Sequence, residues 1–143
     1  MELEGKVWKN KKHWLIEVPS LNIMTQGYSK AEAIDMIKDA IIEYVHYYFE
    51  SEIDETFEIK AKGYKKGVIG ISTTHNKLLL ALSLRRQREK SGSTVREASE
   101  RLGSKSPNAY AQYEKGKTRI SLDQYEKLLQ AANPDQHSLL RVI

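Results

Sequence analysis

The chain contains no cysteine, which excludes disulfides, thiol nucleophiles and cysteine-held zinc or iron–sulfur centres. Its four histidines, His13, His46, His75 and His137, are scattered without metal-ligand spacing and without a serine or carboxylate placed to activate them. No window approaches the roughly 18 to 20 uninterrupted apolar residues of a membrane helix. The opening segment MELEGKVWKNKK lacks the apolar core of a signal peptide. A cytoplasmic protein with no membrane partner, no metal and no cofactor is therefore expected. The 143 residues, 40% apolar, must be held by packing alone, as one domain or two small ones.

What is present is divided unevenly. Residues 1 to 75 carry ten Lys/Arg against twelve Asp/Glu, and residues 76 to 143 carry thirteen against seven. A basic half next to a mildly acidic one points to polyanion contact on the second half and a different task on the first.

The residue pattern changes at the same place. Leu3, Gly5 and Val7 alternate with charges, Asn10-Lys11-Lys12 reads as a turn, and Trp14, Ile16 and Val18 alternate again, so a β-hairpin is predicted. Pro19 ends the second strand, and Asn22 to Gln26 adds a short third. Ser29-Lys30-Ala31-Glu32 is a capping box. It opens a helix to about Phe49, with Ala33, Ile34, Ile37, Ala40, Ile41, Tyr44, Val45 and Tyr48 on one stripe. After acidic Ser51 to Glu55, two more strands are predicted, Thr56 to Ala61 and Val68 to Ser72, around the turn-prone Gly63 to Gly67. The polar Ser72 to His75 marks a boundary between an α+β domain (1–72), an antiparallel sheet with a packed helix, and an all-α domain (76–143). Helices are predicted there at about 76–91, 94–102, 107–115 and 121–132, with Gly92, Gly103 and Gly116 just past three helix ends.

The stretch from Leu84 to Gly116, with Leu84, Arg85, Gly92, Thr94, Ala98, Leu102, Gly103, Tyr110, Tyr113, Glu114 and Gly116, followed by Lys117, Ser121 and Leu122, resembles the Cro/repressor-type helix-turn-helix. Ser93 stands where that family often has leucine, Val95 where it often has glutamine, and one extra residue separates Gly103 from Glu114. Leu82, Leu84, Ala98, Leu102, Tyr110, Leu122, Leu128 and Leu129 can form its core. Ser106 can cap the recognition helix with Pro107 at its first position, turning amides toward a duplex. The resemblance then implies operator DNA as partner. Asn108 and Gln112, four apart, would read base edges, with the small Ala111 between them allowing close approach. Thr94, Arg96, Lys115, Lys117 and Arg119 would hold phosphates.

In the first half, Trp14 to Leu21 followed by Thr25-Gln26-Gly27-Tyr28-Ser29-Lys30-Ala31-Glu32-Ala33 resembles the HicB antitoxin domain, a partial ribonuclease-H-like fold. That resemblance implies binding and neutralisation of a HicA-like messenger-RNA-cleaving toxin, with repression of the shared operon by the second domain. It also implies a homodimer or homotetramer, in keeping with two recognition helices reading a palindrome.

Other readings are weaker. A two-metal nuclease would need clustered carboxylates, and Asp35, Asp39 and Glu43 are the available set. Their spacing fits the solvated face of the helix, so the protein is not expected to be an enzyme. Trp8, Trp14, Tyr44, Tyr47 and Tyr48 could stack RNA bases but fit core or interface positions better, with Tyr47 off the stripe. A repressor answering to a small molecule is the remaining alternative, without a recognisable ligand constellation.

Overall fold

The computed structural model describes residues 1–135, so His137 and the last stretch of the second domain lie outside the described residues. The chain divides into two compact units, Met1–Asn76 and Lys77–Ile143. It is an α+β protein: a five-stranded antiparallel sheet with a helix, then four helices. No described helix is long and apolar enough to cross a membrane.

In the first unit, β1 (Leu3–Asn10) and β2 (His13–Val18) form the predicted hairpin, with Lys11 at its turn in the left-handed region (φ 57°). After a single 3-10 turn at Pro19–Leu21 the chain returns as β3 (Ile23–Gly27). Then come α1 (Lys30–Phe49), β4 (Lys60–Gly63) and β5 (Val68–Ser72). The spatial order is β3-β2-β1-β5-β4. Alternation sends Leu3, Val7, Ile16, Val18, Ile23, Ile69 and Ile71 to one face. There they meet the α1 stripe Ala33, Ile37, Ile41, Val45 and Phe49, all 2% exposed or less. Each such isoleucine or valine contributes roughly 1.5 to 3 kcal/mol of burial.

Gly27 sets how α1 meets the sheet. A Cβ there would lie 2.7 Å from Ala33 N, so only glycine lets the helix start this close. Ser29 Oγ accepts from Glu32 N at 3.0 Å, and Thr25 Oγ1 donates to Ala33 O at 3.1 Å. The expected capping box thus forms by its serine half, and the Glu32 side chain is exposed.

One strand departs from its prediction. The ladder begins at Lys60, not Thr56, because Asp54 takes the backbone first: its Oδ1 accepts from Thr56 N (2.9 Å) and Thr56 Oγ1 (2.5 Å). That turn leaves Thr56 and Phe57 unavailable for pairing, and Gly63, expected in the turn, pairs with Ile69. Reversal follows at Lys65–Gly67, with Lys66 and Gly67 both at positive φ.

In the second unit, α2 (Asn76–Ser91), α3 (Val95–Arg101), α4 (Asn108–Glu114) and α5 (Leu122–Ala132) lie within a residue or two of their predicted spans. Their core is Leu80, Leu84, Ala98, Tyr110, Tyr125, Leu128, Leu129 and Ala132, flanked by Val95, Leu102, Tyr113 and Ile120. Two expected members are displaced. Leu122 is 73% exposed, since as the first residue of α5 it precedes the turn at which Tyr125 enters the core. Leu82 is fully buried but outside this cluster; the α2 face that joins it runs through Leu80 and Leu84, four apart.

Candidate nucleic-acid interface

The segment from the α3–α4 turn through α4 is held at both ends by side chains. Six residues, Leu102 to Pro107, link α3 to α4, and Gly103 closes α3 at φ 78°, a conformation costly for other residues. Ser104 Oγ accepts from Ser106 N and donates to Ser106 O (3.3 and 3.0 Å), so the extra residue is absorbed in a serine turn. Ser99 Oγ, buried on α3, donates to Pro107 O at 3.0 Å. At the far end, Glu114, 7% exposed, accepts from Arg88 of α2 through Nε (2.7 Å) and Nη2 (3.0 Å). Arg88 Nη1 also donates to Ser93 O at 3.1 Å. The Glu114 carboxylate raises the Arg88 pKa above its ordinary value, against the opposing effect of burial.

These anchors fix the rotation of α4. Tyr110 and Glu114, one turn apart, face inward, and Tyr110 OH donates to Leu84 O at 3.4 Å. Burial first, then the Glu114 charge, pushes the Tyr110 phenol far up, so it stays protonated. Asn108 and Gln112 therefore lie on the opposite side, both exposed, about 6 Å apart along the axis. Ala111 is half-buried next to them, and Ala109, which was not singled out from the sequence, is exposed on the Gln112 side.

Ser106 accepts from Asn108 N through Oγ (3.2 Å) and from Ala109 N through its carbonyl (3.4 Å). The helix begins at Asn108 with Pro107, not Ser106, at its N-cap position, because Pro107 lies one residue outside the helix; the Ser106 bonds occupy amides that were expected to face a duplex. Side chains, then, are what this end of α4 presents. Thr94 forms a full capping box with Glu97 at the start of α3, both bonds 3.1 Å. The bonds from Thr94 hold the Glu97 carboxyl below its ordinary pKa. Arg96, Lys115, Lys117 and Arg119 are exposed, the last three on the segment leaving α4.

The residues that brace this surface were mostly invisible in the sequence. Arg101 Nη1 donates to Ser93 Oγ (2.7 Å) and to Ala131 O (2.8 Å), and Ser91 Oγ lies 2.7 Å from Ala132 O. Together they satisfy carbonyls at the end of α5. Ser93, at a position often apolar in the family it resembles, is a polar junction here. A usable signal did exist for Arg88: Tyr110 and Glu114 share a helix face, so Glu114 needs a buried cation, and of Arg85, Arg86 and Arg88 only Arg88 is four residues from core-facing Leu84.

Elsewhere, Asp35, Asp39 and Glu43 are exposed on α1, and among the described residues no three His, Asp or Glu side chains gather to hold a metal ion. Tyr44 and Tyr48 are half-buried and stacked at 6.2 Å, while Tyr47 is 81% exposed. Trp14 is half-buried and Trp8 is 38% exposed.

No curated protein matches the chain. The family model described as helix-turn-helix matches residues 84–133, the span that carries α3, its turn and α4. The second half of the chain therefore holds a Cro/repressor-type helix-turn-helix domain, the module of DNA-binding transcription regulators.

Proposed function

We propose that this protein is an antitoxin-type repressor acting in the cytoplasm: its second domain binds operator DNA upstream of its own gene, and its first domain binds and blocks a HicA-like messenger-RNA-cleaving toxin. It has no catalytic activity of its own and works as a homodimer or homotetramer. The observation that carries the DNA half is the exposed Asn108–Gln112 face of α4, backed by the Arg88–Glu114 and Ser99–Pro107 anchors. Asn and Gln pair bidentately with adenine in the major groove, while Thr94, Arg96, Ser106, Lys115, Lys117 and Arg119 flank them as phosphate contacts and Ala111 leaves room for the duplex. Fluorescence anisotropy on the duplex upstream of the gene, against a scrambled duplex over a salt series, tests this. Selective binding is expected, and equal affinity for both duplexes refutes operator recognition.

Support for the toxin half comes from the Thr25-Gly27-Ser29-Glu32-Ala33 turn, each residue of which helps seat α1, and from the mildly acidic first half, suited to a basic RNA-binding partner. Deleting residues 76–143 should abolish DNA binding and spare neutralisation of the toxin encoded next to this gene. Loss of neutralisation by a folded first unit would place the toxin contact in the second.

A second reading, a repressor answering to a small molecule, draws on one observation. A cavity of about 580 Å³ in the first unit is lined by Met1, Glu2, Lys38, Lys60, Ala61, Lys62 and Ser72, and three lysines suit an anionic ligand. A thermal-shift panel separates the readings: stabilisation by a metabolite favours this one, stabilisation only by a protein the other.

A further inference from the structure

The sheet face opposite α1 carries an exposed apolar cluster. Register places Trp8 of β1 directly across from Leu15 of β2, and in the next row on the same face Met24, Glu17, Lys6 and Val68 run across β3, β2, β1 and β5. Trp8 is 38% and Met24 59% exposed, and Leu15, Glu17 and Val68 are half-buried. A sheet face with a tryptophan, a leucine, a valine and a methionine at its surface marks an interaction site.

We infer that this face docks on the same face of a second copy of the chain. This deepens the homo-oligomer of the proposed function, which left the contact surface open. The face is self-complementary under a twofold axis. A twofold axis lying in the plane between two such sheets, parallel to the strands and midway between β1 and β2, exchanges the two strand positions. It sets Trp8 of one copy over Leu15 of the other and Leu15 over Trp8. In the next row it sets Lys6 over Glu17 and Glu17 over Lys6, and Val68 over Met24. Each of these exchanges pairs apolar with apolar or cation with anion, and in the row beyond Trp8 polar Asn10 meets polar His13, which is the self-complementarity an isologous contact requires. The charges on the rest of the face are balanced as well: Glu2 and Glu4 toward β1's start, Lys60 and Lys62 on β4. A basic or acidic partner protein would find no charge of one sign to meet. Two sheets stacked with strands nearly aligned is an ordinary packing, about 10 Å apart.

The test uses the full chain without DNA, in sedimentation velocity over a concentration series. The unmodified protein is expected at twice 16.4 kDa or a multiple of that, dissociating on dilution. Trp8→Glu, which adds charge at an already exposed position, should raise the dissociation constant about 100-fold. Lys6→Glu and Glu17→Lys each place like charges over one another and should weaken self-association by about 100-fold too. Mixing those two variants should restore a particle of two chains, one of each, because an all-acidic pair then meets an all-basic one. Repair within a single chain cannot produce that result, and circular dichroism of each variant checks that it is folded. A protein that stays at 16.4 kDa, or assembles unaffected by all three substitutions, or whose variants fail to pair on mixing, overturns the inference. Operator selectivity is measured separately, so its absence with this pairing intact overturns only the DNA reading.

Discussion

Arg88 and Glu114 form a two-pronged ion pair, 2.7 Å between Nε and Oε2 and 3.0 Å between Nη2 and Oε1, that ties the C-terminal end of the recognition helix to α2. Both side chains are mostly out of solvent, at 15% and 7% exposure. A buried pair of this kind adds little net stability over an apolar substitute, but losing one partner strands the other charge. Glu114→Ala should therefore cost about 3 to 5 kcal/mol in the urea transition of the helical domain. Operator affinity should fall with the folded fraction. Replacing both residues together by apolar ones of similar volume should recover most of the stability, and a double variant as unstable as Glu114→Ala would show that the pair does more than neutralise itself.

Gln112 sits at the centre of the exposed side of α4, between Asn108 and Ala109. Removing its amide should cost about 1 to 3 kcal/mol on the specific duplex and relax base preference at the position it reads. Anisotropy of Gln112→Ala on a set of single-base operator variants measures this. Unchanged discrimination across the set would remove Gln112 from the readout and pass the role to Asn108.

How much of this was legible follows from how local each determinant is. The hairpin, α1 and the four later helices could be placed from alternation, from the capping box at Ser29, and from glycines at helix ends, all signals within a few residues of the element they bound. Asp54 defeated the Thr56 strand because a carboxylate two residues away outcompeted a distant ladder. Leu122 was assigned to the core, whereas its place as the first residue of α5 leaves it exposed, and Leu82 is buried but outside the cluster around Tyr110. The anchors Arg88–Glu114 and Ser99–Pro107 span 26 and 8 residues, and no local pattern announces a contact of that kind. That Asn108 and Gln112 share the exposed side of α4 was legible, because they are what remains once the buried face of that helix is known.

Lys117 is exposed just past Gly116, on the segment that leaves the recognition helix. Its proposed contact is with phosphate, so Lys117→Ala should weaken binding on specific and scrambled duplexes alike. The slope of log affinity against log salt should drop by about one. For a dimer holding ~6 to 10 phosphates the unmodified protein loses roughly 10³ to 10⁵ in affinity between 50 and 200 mM salt, and the variant should lose less. A loss confined to the operator would contradict the phosphate role.

Tyr125 makes the helical domain sensitive to alkali. Its hydroxyl lies 2.5 Å from Ser83 Oγ, and since Ser83 donates to Leu80 O at 2.7 Å, the phenol is the donor. Burial pushes the phenol up to about 12. A folded-state pKa raised above the unfolded value near 10 means that folding favours the protonated form. The associated stability is complete below about pH 10 and is lost as pH rises from there through 12, at most about 2 to 3 kcal/mol from this residue. Tyr110, shifted upward more strongly, adds in the same direction. Absorbance at the tyrosinate band should therefore show Tyr110 and Tyr125 ionising together with loss of helical circular dichroism. Tyr125→Phe should cost about 1 kcal/mol at neutral pH for the lost hydrogen bond and flatten the decline between pH 10 and 12. If all tyrosines titrate while the helices remain intact, neither phenol is sequestered in the core with Leu80 and Leu84.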